Sequence, residues 1–234
     1  MCFLPQWPIE PVLKIFFASL GVFVEGFLTM VPNDDGIGEH VGLKVWSLHN
    51  KADGSFAPQA KLHHITMYSC FIVSGIVDLL SLCIRYPKHT SKLFLTLAFF
   101  VEAFIFYYHT KGDHDRSQLE VLMHELLVIS IGVCMLFAAL RMMQSSNMLI
   151  NGGLALGITL QGTWFIEVGV VIFGPTKWDD VHNNSMFIVA CFVWHFMCIG
   201  VAMFVLLTVM QCGVQRYTKK ETYQLLEEKL DLDN

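Results

Sequence analysis

Residues 91–109 read SKLFLTLAFFVEAFIFYYH. After Lys92, sixteen residues pass with one charge among them, Glu102. The run is too long for a strand and has no period-2 alternation, so it reads as a helix. Nineteen residues at 1.5 Å each reach about 28 Å, the thickness of a bilayer's hydrocarbon core. The reading of this one stretch decides the solvent: a helix apolar on every face sits in lipid or inside a large core. Glu102 and His109 are seven residues apart, so they share a face to within roughly 20°.

The rest of the chain settles the choice in favour of lipid. Of 234 residues 54% are hydrophobic and 15% charged, against about 25% charged in ordinary soluble domains. The mean hydropathy is +0.53. Six apolar segments are long enough to span, near 12–31, 65–85, 91–109, 118–140, 148–173 and 185–211. The expected fold is all-α: a polytopic membrane helical bundle of about six transmembrane helices. A short N-terminal segment, 1–11, precedes it, and a C-terminal tail, 212–234, follows. Pro32, Pro87 and Pro175 punctuate the ends of three segments. Ser117-Gln-Leu-Glu120 is a capping box that starts the fourth helix. The loop 32–62 is long, polar and glycine-containing. Gly153-Leu-Ala-Leu-Gly157 is a small-xxx-small face, read as close packing inside the bundle rather than a dimer interface.

Composition also excludes functions. The formal charge is −5 with no basic stripe, which argues against nucleic acid. The seven cysteines mostly lie in apolar runs without CxxC pairs, which argues against a disulfide framework. The N-terminus has neither a basic leader nor a small-residue cleavage site, and is not expected to be a cleaved signal peptide.

Lysine and arginine orient the bundle. Arg85, Lys88 and Lys92, then Arg141, then Arg216, Lys219 and Lys220 fall on one side of six spans. Asp34, Asp35, Glu39, Asp113, Asp115, Asp179 and Asp180 fall on the other, with several lysines. Both termini are therefore expected in the cytosol. The sequon Asn183-Asn-Ser185 then lies outside but abuts the last helix, so poor glycosylation is expected.

With that orientation, the helical rise places most buried ionisable groups in the outer half of the membrane. They are Glu25, His64, Glu102, His109, His124, Glu167 and His195, with Gln161 nearer the middle; Asp78 is the exception, in the inner half. His63 and His64 point about 100° apart, and His64 is taken as the inward one because Met67 and Tyr68 extend its face. An ionised group at a helix centre costs roughly 2.5–3.5 kcal/mol on insertion scales. Such groups must pair, stay neutral, touch water or bind something. The expectation is one polar cluster of His64, Glu102, His109, His124 and His195, supported by Glu25, Gln161 and Glu167. Its plain reading is a hydrogen-bonded network or proton pathway. Its sharper reading is a metal (Zn or Fe) or haem site, since imidazole with carboxylate suits both metals. No HExxH, HxxxH or Glu-x-x-His pair supports the second, and no catalytic motif argues for an enzyme.

Five stretches carry a family resemblance: His64-Ile-Thr-Met-Tyr68, Ser74-Gly-Ile-Val-Asp78, Val101-Glu-Ala-Phe-Ile-Phe-Tyr-Tyr-His109, Leu160-Gln-Gly-Thr-Trp-Phe165 and Cys191-Phe-Val-Trp-His-Phe196. In their order and content the chain resembles the transmembrane protein 45 family, which includes the transmembrane epididymal proteins. The resemblance runs from about residue 12 to the C-terminus. It implies a multi-pass helical protein of the endomembrane system and plasma membrane, usually with seven helices and with no agreed activity. The family's extra N-terminal helix, with its His-Ala-Leu-Pro-Gly opening, has no counterpart in this sequence.

The expected function is a non-enzymatic membrane protein of trafficking or scaffolding type. The alternatives are a metal- or haem-binding membrane protein and a small ion- or proton-coupled transporter. The tail adds a location. Tyr223-Gln-Leu-Leu226 resembles a tyrosine-based sorting signal read by clathrin adaptors, and Glu221-Thr-Tyr-Gln-Leu-Leu226 an acidic dileucine signal, with Leu225 and Leu226 as the apolar anchors. Read as an extended peptide, the tail implies Golgi, endosomal or lysosomal residence with cycling through the plasma membrane. Read as an amphipathic helix, with Leu226 and Leu230 four apart, it implies no sorting.

Overall fold

A computed structural model describes residues 8–25, 59–109, 117–175 and 178–232. Every regular element among them is helical. They are α1 (Ile9–Phe23), α2 (Gln59–Cys83), α3 (Thr90–His109), α4 (Gln118–Met143), α5 (Met148–Phe173) and α6 (His182–Leu232). Five are long and apolar enough to cross a membrane: the stretches Leu62–Cys83, Thr90–Tyr108, Gln118–Met143, Met148–Ile172 and His182–Tyr223. The protein is a helical membrane bundle. The first expected span, 12–31, is described only as the 15-residue α1 and the two residues after it. Its continuation from residue 26 lies outside the described residues, as does loop 32–62 up to residue 58.

Successive helices pack on one another from α1 through α6, and α4 also touches α6. The buried core centres on α4 and α5. Met123, Ile131, Cys134 and Trp164 are fully enclosed. Outward faces carry Phe100, Phe104, Ile166 and Phe204, as lipid-facing positions should when the solvent is apolar.

Local rules explain the helix ends. The Ser117 hydroxyl accepts the Glu120 N–H at 3.1 Å, so the expected cap is formed. A second cap comes from far along the chain. Asp180 accepts the Gln118 and Leu119 N–H groups through its two carboxylate oxygens, at 2.8 and 3.1 Å. An acid at a helix N-terminus satisfies orphan donors and faces the positive end of the dipole. The Asn147 side chain caps α5 by accepting from Leu149 N–H at 2.9 Å. Between α2 and α3 the chain turns through His89, whose φ of 72° is left-handed.

The glycine face expected on α5 seats α4. A Cβ on Gly153 would collide with the Phe137 ring, and one on Gly157 would stand 2.9 Å from Cys134 Sγ.

Of the two readings of the tail from 212, the backbone follows the helical one: α6 continues through it to Leu232. Hydropathy falls after Gln211, yet no proline interrupts the backbone ladder, and Gly213 alone does not break it. Charged and polar helix formers carry the ladder into water, with the Tyr217 hydroxyl 3.5 Å from Glu221 Oε1 one turn on. The side chains of Leu225 and Leu226 lie outside the described residues.

Candidate functional site

Glu102 is the most buried carboxylate among the described residues, at 4% exposure. The apolar run of α3 carries it into the interface with α4 and α5. There Gln161 Nε2–H donates to Glu102 Oε1 at 2.6 Å. The other end of the same amide takes the Cys134 thiol, Sγ to Oε1, at 3.6 Å. A donor relay thus runs Cys134 to Gln161 to Glu102 across α4, α5 and α3. The thiol orients the amide so that its NH₂ faces the carboxylate. The second oxygen, Glu102 Oε2, is buried without a hydrogen-bond partner.

The relay borders open space. A cavity of about 330 Å³ is walled by α1, α2, α3 and α5, with Glu102, Gln161, Phe17, Tyr68, Phe71 and Phe165 among its lining. A second, of about 640 Å³, adjoins it through Lys14, Phe71, Gln161 and Phe165 and reaches Arg141 and Asn151 at the end of the bundle where α4 finishes and α5 begins.

Among the described residues the hydrogen-bond partner of Glu102 is Gln161, and each histidine has a bond or a near approach of its own. His64 Nδ1 bonds Glu25 Oε1 at 3.0 Å, across α1 and α2. His124 Nδ1–H donates to the Glu120 carbonyl of its own helix at 2.8 Å. His195 Nε2 stands 3.9 Å from Glu167 Oε2, too far for a hydrogen bond. Phe106 supplies part of the reason. It follows Glu102 by one turn on the same face, is 2% exposed, and packs its ring against both His64 and His124 at 6.1 and 6.2 Å. The His109 side chain lies outside the described residues. No three His, Cys, Asp or Glu side chains among the described residues are grouped so as to hold a metal ion.

Two features were missed in the sequence. Lys14 Nζ pairs with Asp78 Oδ2, both side chains largely buried at 13% and 15% exposure. Depth could have found it, because Lys14 opens the first span and Asp78 closes the second at the same end. Trp164 is fully buried; its indole N–H donates to the Met123 carbonyl of α4 at 2.9 Å. Its ring meets Phe192 and His195 of α6 edge-on, at 4.9 and 5.7 Å. It therefore ties three helices directly behind Gln161.

With this geometry in place, comparison with known families gives one match. Residues 88–208, just over half of the chain, match the model of a family of unknown function, DUF716, which takes in the transmembrane protein 45 proteins. The match covers α3, α4 and α5 and the greater part of α6's membrane stretch, and so includes Glu102, Cys134, Gln161 and Trp164. The chain belongs to this family of unknown function.

Proposed function

We propose that the chain is a non-enzymatic membrane protein that works by binding within the bilayer, with Glu102 as the polar anchor of its intramembrane cavity. One observation carries this reading: a carboxylate at 4% exposure has one oxygen held by Gln161 and the other unpartnered beside open space. A buried acceptor without a donor costs about 1–3 kcal/mol, more when charged. A proton or a donating ligand would recover that. The outer-half placement of Glu102, and membership of the transmembrane protein 45 group within the wider family, belong to the same proposal. So does the polar set His64, His109, His124 and His195 with Glu25 and Glu167, as candidate supporting residues.

Trafficking or scaffolding is the role this binding would serve. The sorting reading of Glu221, Tyr223, Leu225 and Leu226 supports Golgi–endosomal cycling through clathrin adaptors, and α6 would have to unwind locally to present them. A proton-coupled transporter is the second reading, favoured by the same unpartnered oxygen; proton flux into liposomes separates the two.

A lipid-soluble carbodiimide tests the anchor. It should modify Glu102 in bilayer-embedded protein, and a water-soluble carbodiimide should not. Glu102→Gln should abolish the adduct while the protein stays folded, because glutamine keeps an acceptor. Absence of a Glu102 adduct under conditions that modify other carboxylates sinks the reading.

A further inference from the structure

The larger cavity has a polar end that the Glu102 anchor does not use. Arg141, half-buried two residues before α4 finishes, has its Nε enclosed with no hydrogen-bond partner, and among the described residues no ion pair engages its guanidinium. Asn151, in the first turn of α5, gives Nδ2 to the Ser145 carbonyl but leaves Oδ1 buried and unpartnered. Both line the cavity. Lys14, on the same wall, is committed to Asp78. Of the other two charged or amide side chains of the lining, Gln161 is held by Glu102 and Cys134, and Glu10 is exposed. Beyond these groups the walls are apolar: Phe71, Leu95, Phe99, Leu154 and Ile158. From Asn151 to Gln161 along α5 is about 15 Å at the helical rise.

A donor fork, a lone acceptor and a separate anion at one end of an apolar slot define a ligand. We propose that this cavity binds a lysophospholipid with a zwitterionic headgroup. Its phosphate faces Arg141, whose guanidinium matches phosphate geometry. Its free glycerol hydroxyl donates to Asn151 Oδ1. Its quaternary or primary amine faces Glu10. The single acyl chain lies against the phenylalanines and leucines. Each unpartnered polar atom of the lining then has a counterpart, and the apolar stretch is filled. A fatty acid supplies neither the amine nor a hydroxyl beside its anion. A diacyl lipid lacks the free glycerol hydroxyl that Asn151 Oδ1 would accept from.

The test uses the full chain in nanodiscs of diacyl phosphatidylcholine, with lysophosphatidylcholine carrying a diazirine on its acyl chain. Photolabelling should saturate, map to Phe99 or Leu154, and be competed by unlabelled lysophosphatidylcholine but not by palmitate. Arg141→Gln should weaken apparent affinity about tenfold or more, the loss of one charge-assisted contact. Glu10→Gln should erase the preference for lysophosphatidylcholine over lysophosphatidic acid. Gly162 lines the same slot, and a Cβ there meets nothing within 4 Å. Gly162→Leu should therefore occupy the slot and remove labelling without lowering the melting temperature. Several results would overturn the proposal: label only on lipid-facing residues such as Phe104, or equal competition by palmitate. So would undiminished labelling of folded Arg141→Gln or Gly162→Leu. Cross-links from a benzophenone at position 162 to residues 26–58 or to a second copy, in place of lipid, would assign the slot to another occupant.

Discussion

The α1–α2 pair and the α4–α5 pair are both antiparallel, and they are held by different physics. Along α1–α2 polar contacts alternate with close approach. Lys14 pairs with Asp78, a Cβ on Gly75 would crowd Ile15, one on Gly21 would meet the Tyr68 ring at 2.8 Å, and Glu25 bonds His64. Along α4–α5 the two glycines seat Phe137 and Cys134, and the indole bond to a backbone carbonyl and the weak Cys134–Gln161 bond close the seam. In lipid, apolar side chains have no hydrophobic reason to leave the solvent, so helices associate through shape fit and polar bonds. One seam leans on the second device and the other on the first. Each should therefore fail in its own way.

Breaking the ionic seam gives the largest effect. Lys14→Met leaves Asp78 as an uncompensated, largely buried charge, which costs about 3–5 kcal/mol. Lys14→Met with Asp78→Leu removes both charges and should recover most of that loss. The check is a double-mutant cycle on unfolding in mixed micelles. A double variant as unstable as the single would mean the pair is not a coupled unit.

The steric seam comes next. Gly157→Leu forces a side chain into Cys134, where even a Cβ is 2.9 Å from the sulfur and 3.2 Å from the backbone nitrogen. Overpacking of this kind costs about 1–3 kcal/mol. Gly169→Ala in the same helix meets nothing within 4 Å, and should be neutral or slightly stabilising in the same unfolding assay. Equal losses at the two sites would deny that Gly157 is a packing surface.

Smaller again is the long-range cap. Asp180→Ala removes the acceptor for two N–H groups at the start of α4, while the Ser117 cap remains. The expected loss is about 0.5–2 kcal/mol. Hydrogen exchange should rise at Gln118 and Leu119 before it rises elsewhere in α4.

The same contrast explains what could be read in the sequence. Spans 65–85, 91–109, 118–140 and 148–173 follow from composition, because a segment in lipid must close its own backbone bonds and must be apolar. The cap at Ser117 and the glycine face on α5 are local signatures, and both are formed. The polar partners were less legible. Depth along a helix is one coordinate, and pairing needs the azimuth as well. Glu102 meets Gln161, which the helical rise set nearer the middle of the membrane. His124 has a comparable depth but turns to Glu120 of its own helix, and Phe106 fills the adjoining face. The end of α6 stayed open between two readings for a different reason: hydropathy marks where lipid stops, while helix termination needs a breaker or a cap.

The smallest effect lies in the loop where the α1–α2 hairpin hands over to α3. His89 holds φ at 72°, a conformation costly for a residue with a Cβ and free for glycine. Its carbonyl accepts the Leu93 N–H at 2.9 Å, so the residue is fixed as the entry to α3 rather than left to relax. Its exposed ring lies 3.4 Å from the half-buried Lys92, and little packing is lost on truncation. His89→Gly relieves the backbone but adds freedom to the unfolded chain, and these two terms oppose each other. Strain of about 1 kcal/mol or more against a glycine penalty of about 0.5–1 kcal/mol leaves a net gain of a few tenths. Thermal melting of the variant should therefore rise by a degree or two at most. A clear fall would show that the histidine ring, and not the turn, is what the handover to α3 requires.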